Sequence, residues 1–420
     1  MKRRHKVLGL LMLLAVITMI DRVGISVAAK PIREEMGLSP SQWGWVLGLF
    51  SLAYGLFEIP AGTLGDTVGP RKILTRIVVW WSLFTAFTGL AAGFRQLAVV
   101  RFLFGAGEAG AFPNITATIR RWFPRAERGK AQGFAWMANR LGAALAPLVV
   151  IPLQQAVGWR ASFPILGGAG LLWAGCWYGW FRDDPGSTGE DLGEEIPLAA
   201  GSGAALCGPT EWRTVLAQPT LWWIMGMYFA YSWSGYFFQG WLFTFLESAR
   251  GYSAGDLVRY SWLPFVCGAC ANGLGGVATD ALVGRLGLKR GRQAIGCGGL
   301  AFSAVMIACA MLTQGKLITL VFLALGYAGS DFMLPTAWAV CLDVGGPRVG
   351  AISGAMNMAG QAGGFCGALA FGYLVEATGS YQVPVLLMAG LAAVAALMWL
   401  RIDPRRELLQ PPAAATDFPV

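Results

Sequence analysis

GTLGDTVGPRK, Gly62 to Lys72, lies between two apolar runs and has a counterpart in the second half of the chain, GGVATDALVGRLGLKR, Gly275 to Arg290. Both read Gly, three residues, Asp, then a further Gly and a basic cluster. A second pair runs in parallel: ERGKAQGFAWMANRLGAALAP (127–147) and GPRVGAISGAMNMAGQAGGFCGALA (346–370). Internal similarity at this spacing implies two related halves, each built from the same set of elements.

The surroundings of these repeats name the solvent. The 420 residues are 55% hydrophobic and only 13% charged, with a mean hydropathy of +0.55. That is too little charge to wet the surface of a soluble domain of this length. Apolar runs long enough to cross a bilayer recur from end to end. We read twelve spans, at about 7–29, 43–64, 73–93, 97–119, 130–152, 162–181, 220–246, 260–281, 293–313, 317–341, 348–375 and 382–402. The fold class is therefore all-α and membrane-embedded, with twelve transmembrane helices in two pseudo-symmetric six-helix bundles. Residues 1–181 form the first bundle and 220–402 the second. Between them 182–219, beginning RDDPGSTGEDLGEEIP, reads as a solvated linker. TEWRTVLAQPTLWW starts a short interfacial helix within it, and 403–420 reads as a disordered tail. Trp43, Trp45, Trp80, Trp81, Trp222 and Trp223 flank spans and read as interfacial anchors.

Charge sets the orientation. The net charge of +9 is spread over short clusters between spans rather than one stripe, which excludes a nucleic-acid footprint. If both termini are cytoplasmic, that side holds 22 of the 32 Lys and Arg, the other side 7, and 3 lie within the membrane. The positive-inside rule selects that arrangement. The apolar run after MKRRHK carries Asp21 and Arg22, so it is read as a retained first span rather than a signal peptide. The expected location is a bacterial inner membrane, crossed many times, and the expected oligomeric state is monomeric.

Chemistry is narrowed by scarcity. The only histidine is His5, in the basic tail, which argues against His-dependent hydrolases, multi-His metal sites and histidine proton relays. Of eight cysteines only Cys267 and Cys270 are spaced as CxxC, with no second pair; they read as small packed residues. No enzyme, metal or cofactor is expected.

The informative residues are the charges inside spans: Asp21, Arg22, Glu58, Arg101, Glu108, Arg140 and Asp331. Each costs roughly 2.5–3.5 kcal/mol near a helix centre on insertion scales. In RFLFGAGEAGAFPN (101–114), Arg101 and Glu108 share a helix face about 10 Å apart along the axis, too far for a tight ion pair. Each needs its own partner, a cavity or water. Pro113 is expected to kink this span. Asp21 and Arg22 point about 100° apart, which fits Arg22 facing a cavity and Asp21 a neighbouring helix. Glu58 and Arg140 fit a gate or local pairing as well as a site, and Asp331 a coupling site or a wet vestibule.

GTLGDTVGPRK resembles the signature loop of the major facilitator superfamily. RFLFGAGEAGAFPN followed by RRWFPRAERGKAQG resembles its anion:cation symporter branch, and the resemblance covers about residues 7 to 402. It implies a proton-coupled symporter of a small organic anion, a sugar acid or similar carboxylate, working by alternating access with the proton gradient as driving force. Carried over residue by residue, it implies substrate contacts at Arg22, Tyr54, Arg101, Asn139, Trp338 and Asn357, with Tyr236 among the cavity aromatics. It implies proton coupling at Asp21 and Glu108 and a conformational gate at Gly65, Asp66, Gly69 and Arg71; Glu58, Arg140 and Asp331 stay candidates for accessory roles as charges inside spans, outside what the resemblance implies. The chain departs from the family pattern at Met19, Thr67, Pro70 and Arg140, and Glu58 and Asp331 are additional acids. An exporter or exchanger of an amphipathic or zwitterionic solute, or a sodium-coupled carrier, is the alternative.

Overall fold

The computed structural model describes residues 3–123, 125–186, 216–345 and 349–405; within these, side chains at 59, 62–67, 125, 126, 128–130 and 349–351 are left aside. The interior of the linker, with most of the expected interfacial helix, and the tail beyond 405 lie outside the described residues.

Helix follows helix. α1 (Arg3–Val27) is the first crossing, and α2 (Ala29–Met36) is a short helix closed by Gly37 in the left-handed region. α3 (Pro40–Val68) and α4 (Pro70–Thr88) are the second and third crossings. α5 (Phe94–Glu108) and α6 (Ala111–Trp122) together make the fourth. α7 (Arg125–Trp180) folds back at Gly158, φ 79°, and supplies the fifth and sixth. The second half opens with α8 (Pro219–Tyr236), a π-helical turn (Phe237–Trp241) and α9 (Leu242–Arg250), the seventh crossing. After α10 (Ala254–Tyr260) come α11 (Leu263–Leu286), α12 (Leu288–Leu312), α13 (Lys316–Gly345), α14 (Val349–Thr378) and α15 (Gln382–Trp399). Seven described runs are long and apolar enough by composition to cross a membrane; one of them, residues 131–180, crosses twice at its fold. α3, α4, α5 with α6, and α8 with α9 complete the twelve.

Packing repeats between the halves. α1 lies along the first part of α7 as α8 lies along α14. The pairs α3 with α5, α4 with α5 and α4 with α7 recur as α11 with α13, α12 with α13 and α12 with α15. The seams use glycine, because lipid offers no hydrophobic drive and close backbone approach must supply the contact. A Cβ at Gly105 would lie 2.4 Å from the Phe50 carbonyl oxygen, and one at Gly275 2.0 Å from that of Phe332. These are equivalent crossings of the two halves.

The hydrophobic core divides into three clusters. One joins both halves: Val23, Trp43 and Leu47 pack with Phe237, Trp241, Leu320 and Phe371. The other two each stay within a half, around Leu74, Trp122 and Trp177 in the first and Leu221, Val344 and Trp399 in the second. The joined cluster sits at the end of the bundle carrying residues 40 and 376, where the Ser41 amide donates to Glu376 and Trp45 donates to the Tyr373 hydroxyl. At the opposite end, the described ion pairs Arg4–Glu127, Arg121–Asp183, Lys289–Asp403 and Arg292–Asp343 all stay inside one half. Among the described residues, the apolar core shared by the halves therefore lies at the end away from these basic pairs.

Three expectations change. The fourth span is interrupted at Ala109–Gly110, where Gly110 has φ 87°, and not bent at Pro113. Pro113 falls in the first turn of α6, where its missing N–H costs nothing. Trp43 and Trp81 are fully buried core residues rather than interfacial anchors, while Trp80 and Trp222 are exposed. The seventh span contains a π turn directly after Tyr236, which no residue pattern announced.

Candidate substrate site between the halves

α1, α3 and α5 bring five of the expected residues together. The Arg22 Nε and Nη2 groups both donate to Glu108 Oε1, the first at 3.0 Å. The guanidinium lies 5.0 Å from the centre of the Phe50 ring and 5.1 Å from that of Tyr54. Arg101 stacks on the same Phe50 at 5.0 Å and on Phe104 at 4.7 Å. Phe50 therefore holds two guanidinium groups, with the cation–π attraction strengthened by desolvation. It was missed in the sequence, where its spacing of four from Tyr54 was the available signal.

The charge balance at this cluster is uneven. Glu108 is 0% exposed, and its Oε2 is buried without a hydrogen-bond partner. Arg101 is 3% exposed, its Nε unpartnered, with no carboxylate within ion-pair distance among the described residues. Asp21 is buried on the side of Trp81 and Thr85 in α4, and neither of its carboxylate oxygens is hydrogen-bonded. Arg22 keeps 14% of its side chain exposed, so of the four it is the one that reaches the cleft.

Residues of the second half face this cluster. The Asn357 amide donates to Glu58 Oε2 at 2.5 Å, tying α14 to α3. The Tyr236 hydroxyl donates to Gln361 Oε1, a residue one turn beyond Asn357. Gln361 was not anticipated; a glutamine among small residues in MAGQAGG was the only hint. Trp338 is 37% exposed and meets Tyr228 edge-on at 6.4 Å. Asn139 is buried beside Arg140.

A second ion pair spans the cleft. Arg140 Nη2 donates to Asp331 Oδ1 at 2.9 Å and Nη1 to the Tyr327 hydroxyl at 2.7 Å, linking α7 to α13. Tyr231 of α8 also donates to Asp331 Oδ1, at 3.1 Å. This is tertiary pairing across the two halves rather than local pairing.

The expected gate residues are elsewhere. Gly69 and Arg71 lie at the start of α4, and α4 is capped by Asp183, which accepts from the Arg71 amide at 2.9 Å. A carboxylate suits the positive end of a helix dipole. The Arg71 guanidinium donates to the Tyr178 carbonyl and stacks on that ring at 4.5 Å. These contacts brace the first half against itself and do not bridge to the second. Gly65 and Asp66 belong to the last turns of α3, but their side chains lie outside the described residues.

Residues 11–368 match the Major Facilitator Superfamily. The chain belongs to that superfamily. Similar proteins include a probable sulfoacetate transporter of Cupriavidus necator, 37% identical over 96% of this chain and 94% of that protein. A hexuronate transporter of Bacillus subtilis is 29% identical over 95% and 94%, and a probable galactarate/D-glucarate transporter of Escherichia coli 29% over 94% and 92%. These relatives are transporters, not enzymes, and match the anion:cation symporter branch of the superfamily. Among solved structures, a bacterial homologue of the human lysosomal transporter Spinster superposes with a TM-score of 0.79 at 21% identity, covering 95% of this chain and 96% of that one. That likeness carries the fold alone. The chain is a multi-pass membrane protein of the major facilitator fold.

Proposed function

We propose that this protein carries a small organic anion, a sugar acid or a related carboxylate or sulfonate, by proton-coupled symport with alternating access. The observation that carries the reading is the Arg22–Glu108 pair beside Arg101. A guanidinium fork matches the oxygens of a carboxylate or sulfonate. Arg22 reaches the cleft while its carboxylate partner is fully buried with one oxygen unsatisfied. An anion that draws Arg22 away leaves Glu108 buried without its counter-charge, which is costly in a low-dielectric interior. Uptake of a proton removes that cost, so anion and proton load together.

With the basic ends cytoplasmic, as the positive-inside rule requires, the core that joins the halves closes the outside and the basic end opens inward. The conformation is then inward-open, in a bacterial inner membrane. Rocking of the two halves about the cleft exposes the site alternately to each side.

The test is transport by purified protein in proteoliposomes. Glu108→Gln keeps the hydrogen-bonding shape but has no titrating proton. We expect it to exchange substrate across the membrane at a measurable rate and to lose pH-driven accumulation against a gradient. Full accumulation by this variant removes Glu108 from coupling. Replacing sodium with choline in the same assay separates proton from sodium coupling, since only a sodium-driven carrier slows.

A further inference from the structure

We propose that the transported anion is a dianion, with Arg140 as the site for its second charged group. This rests on the organic-anion reading above and specifies its substrate class. The relatives leave the point open, because sulfoacetate and galactarate carry two anionic groups whereas a hexuronate carries one.

Arg22 and Arg140 are held in the same arrangement. Arg22 and Arg140 each keep 14% of the side chain exposed, and each is held by a buried carboxylate through one oxygen only. In both partners the second oxygen, Glu108 Oε2 and Asp331 Oδ2, is buried and lacks a hydrogen bond. Each unit is therefore a guanidinium in reach of the cleft, held by a carboxylate whose free oxygen can accept a proton when the guanidinium turns to another anion. Glu108 holds Arg22 within the first half. Asp331 holds Arg140 from the second half, so occupation of Arg140 by substrate also changes what joins the halves.

Position sets the condition for a two-headed ligand: the two arginine side chains must lean toward one another from separate levels of the bundle. A Cβ at Gly142 would meet Val16 and Met19, and one at Gly24 would meet Val150, so α1 and this part of α7 run side by side in fixed register. In that register Arg140 stands about eight residues, roughly 12 Å, along the bundle from the level of Arg22. The intervening surface carries Tyr228, Trp338 and Asn357, which can contact the uncharged middle of a small molecule.

The experiment measures binding to the purified full-length protein by calorimetry, using matched pairs that differ by one anionic group. Glucarate is compared with gluconate, sulfoacetate with methanesulfonate, and succinate with butyrate. The unmodified protein is expected to bind the dianion of at least one pair tenfold or more tighter than its partner. In Arg140→Gln that ratio falls toward one. The double variant Arg140→Gln with Asp331→Asn removes both charges, so no lone buried carboxylate is left to unfold the chain, and the ratio stays low. Arg140→Lys restores part of it. A ratio unchanged in the single and double variants, or a preference for the monoanion in the unmodified protein, overturns the proposal and leaves Arg140–Asp331 as a clasp. Binding of none of the six probes instead defeats the organic-anion reading itself.

Discussion

Arg101 shows how a single residue can set the potential of a site. Its guanidinium is almost fully buried between Phe50 and Phe104, without a carboxylate at ion-pair distance among the described residues. A buried cation with incomplete compensation raises the local affinity for anions, and aromatic faces hold it without neutralising it. Arg101→Gln removes the charge while keeping a polar side chain. It is expected to weaken anion binding at least tenfold, about 1.4 kcal/mol, with the melting temperature little changed; calorimetry and a thermal melt read the two separately. Unchanged affinity would make Arg101 a packing element. That Arg101, Glu108, Asp21 and Arg22 matter was legible in the sequence, because ionised groups in apolar runs are costly and must be used. Their partners were not. Arg22 meets Glu108 across 86 residues, Arg140 meets Asp331 across 191 and Glu58 meets Asn357 across 299. Such pairs depend on how helices pack, which spacing along one helix does not encode.

At the scale of elements, the interrupted fourth crossing positions Glu108. α5 ends at Glu108, Ala109 is non-helical, and Gly110 turns through the left-handed region before α6 begins. A Cβ at Gly110 would stand 2.6 Å from the Ala61 Cβ, so the break lies in close contact with α3. Only glycine takes that conformation cheaply, and a strained backbone costs about 1–3 kcal/mol at such a position. Gly110→Ala is therefore expected to lower the melting temperature and transport together, since the break sets where the carboxylate points. Gly133→Ala provides the comparison: that helical glycine has no atom within 4 Å of its would-be Cβ, and alanine there should be neutral or stabilising. Equal melting temperatures for the two variants would show that Gly110 is not constrained. The sequence pointed to Pro113 because proline is the stronger helix breaker in general. It is harmless in a first turn, and only the backbone reveals that the chain had already broken three residues earlier.

At the scale of the molecule, the three core clusters describe a hinge as well as a fold. Twelve crossings in two halves were legible from apolar runs and the repeated Gly–x3–Asp loops, since both follow from the bilayer and from internal similarity. Which end is closed was not, because it is a property of one conformation rather than of the composition. α3 and α14 make the closure. Gly44, Gly48 and Gly55 present one face of α3 to Ala368, Phe365 and Gln361, and Gly372 meets Pro40 and Ser41 from the other side. On the proposed alternating-access cycle this seam parts in every turnover while the basic end closes. A covalent tie across it must then stop transport without unfolding the protein. Ser41→Cys with Glu376→Cys, in a chain whose eight native cysteines are replaced, puts one thiol on the residue whose backbone amide now donates to the Glu376 carboxylate at 3.0 Å and the other in place of that carboxylate. Joining them with a short bis-methanethiosulfonate, which forms a disulfide with each thiol as methanesulfinate leaves, is expected to abolish uptake, with recovery on reduction and little change in the melting temperature. Tied protein in detergent should still bind substrate, because in the proposed inward-open form the basic end gives access to the cleft. Uptake at the untreated rate in fully cross-linked protein would mean that α3 and α14 move as one body and that the hinge lies elsewhere.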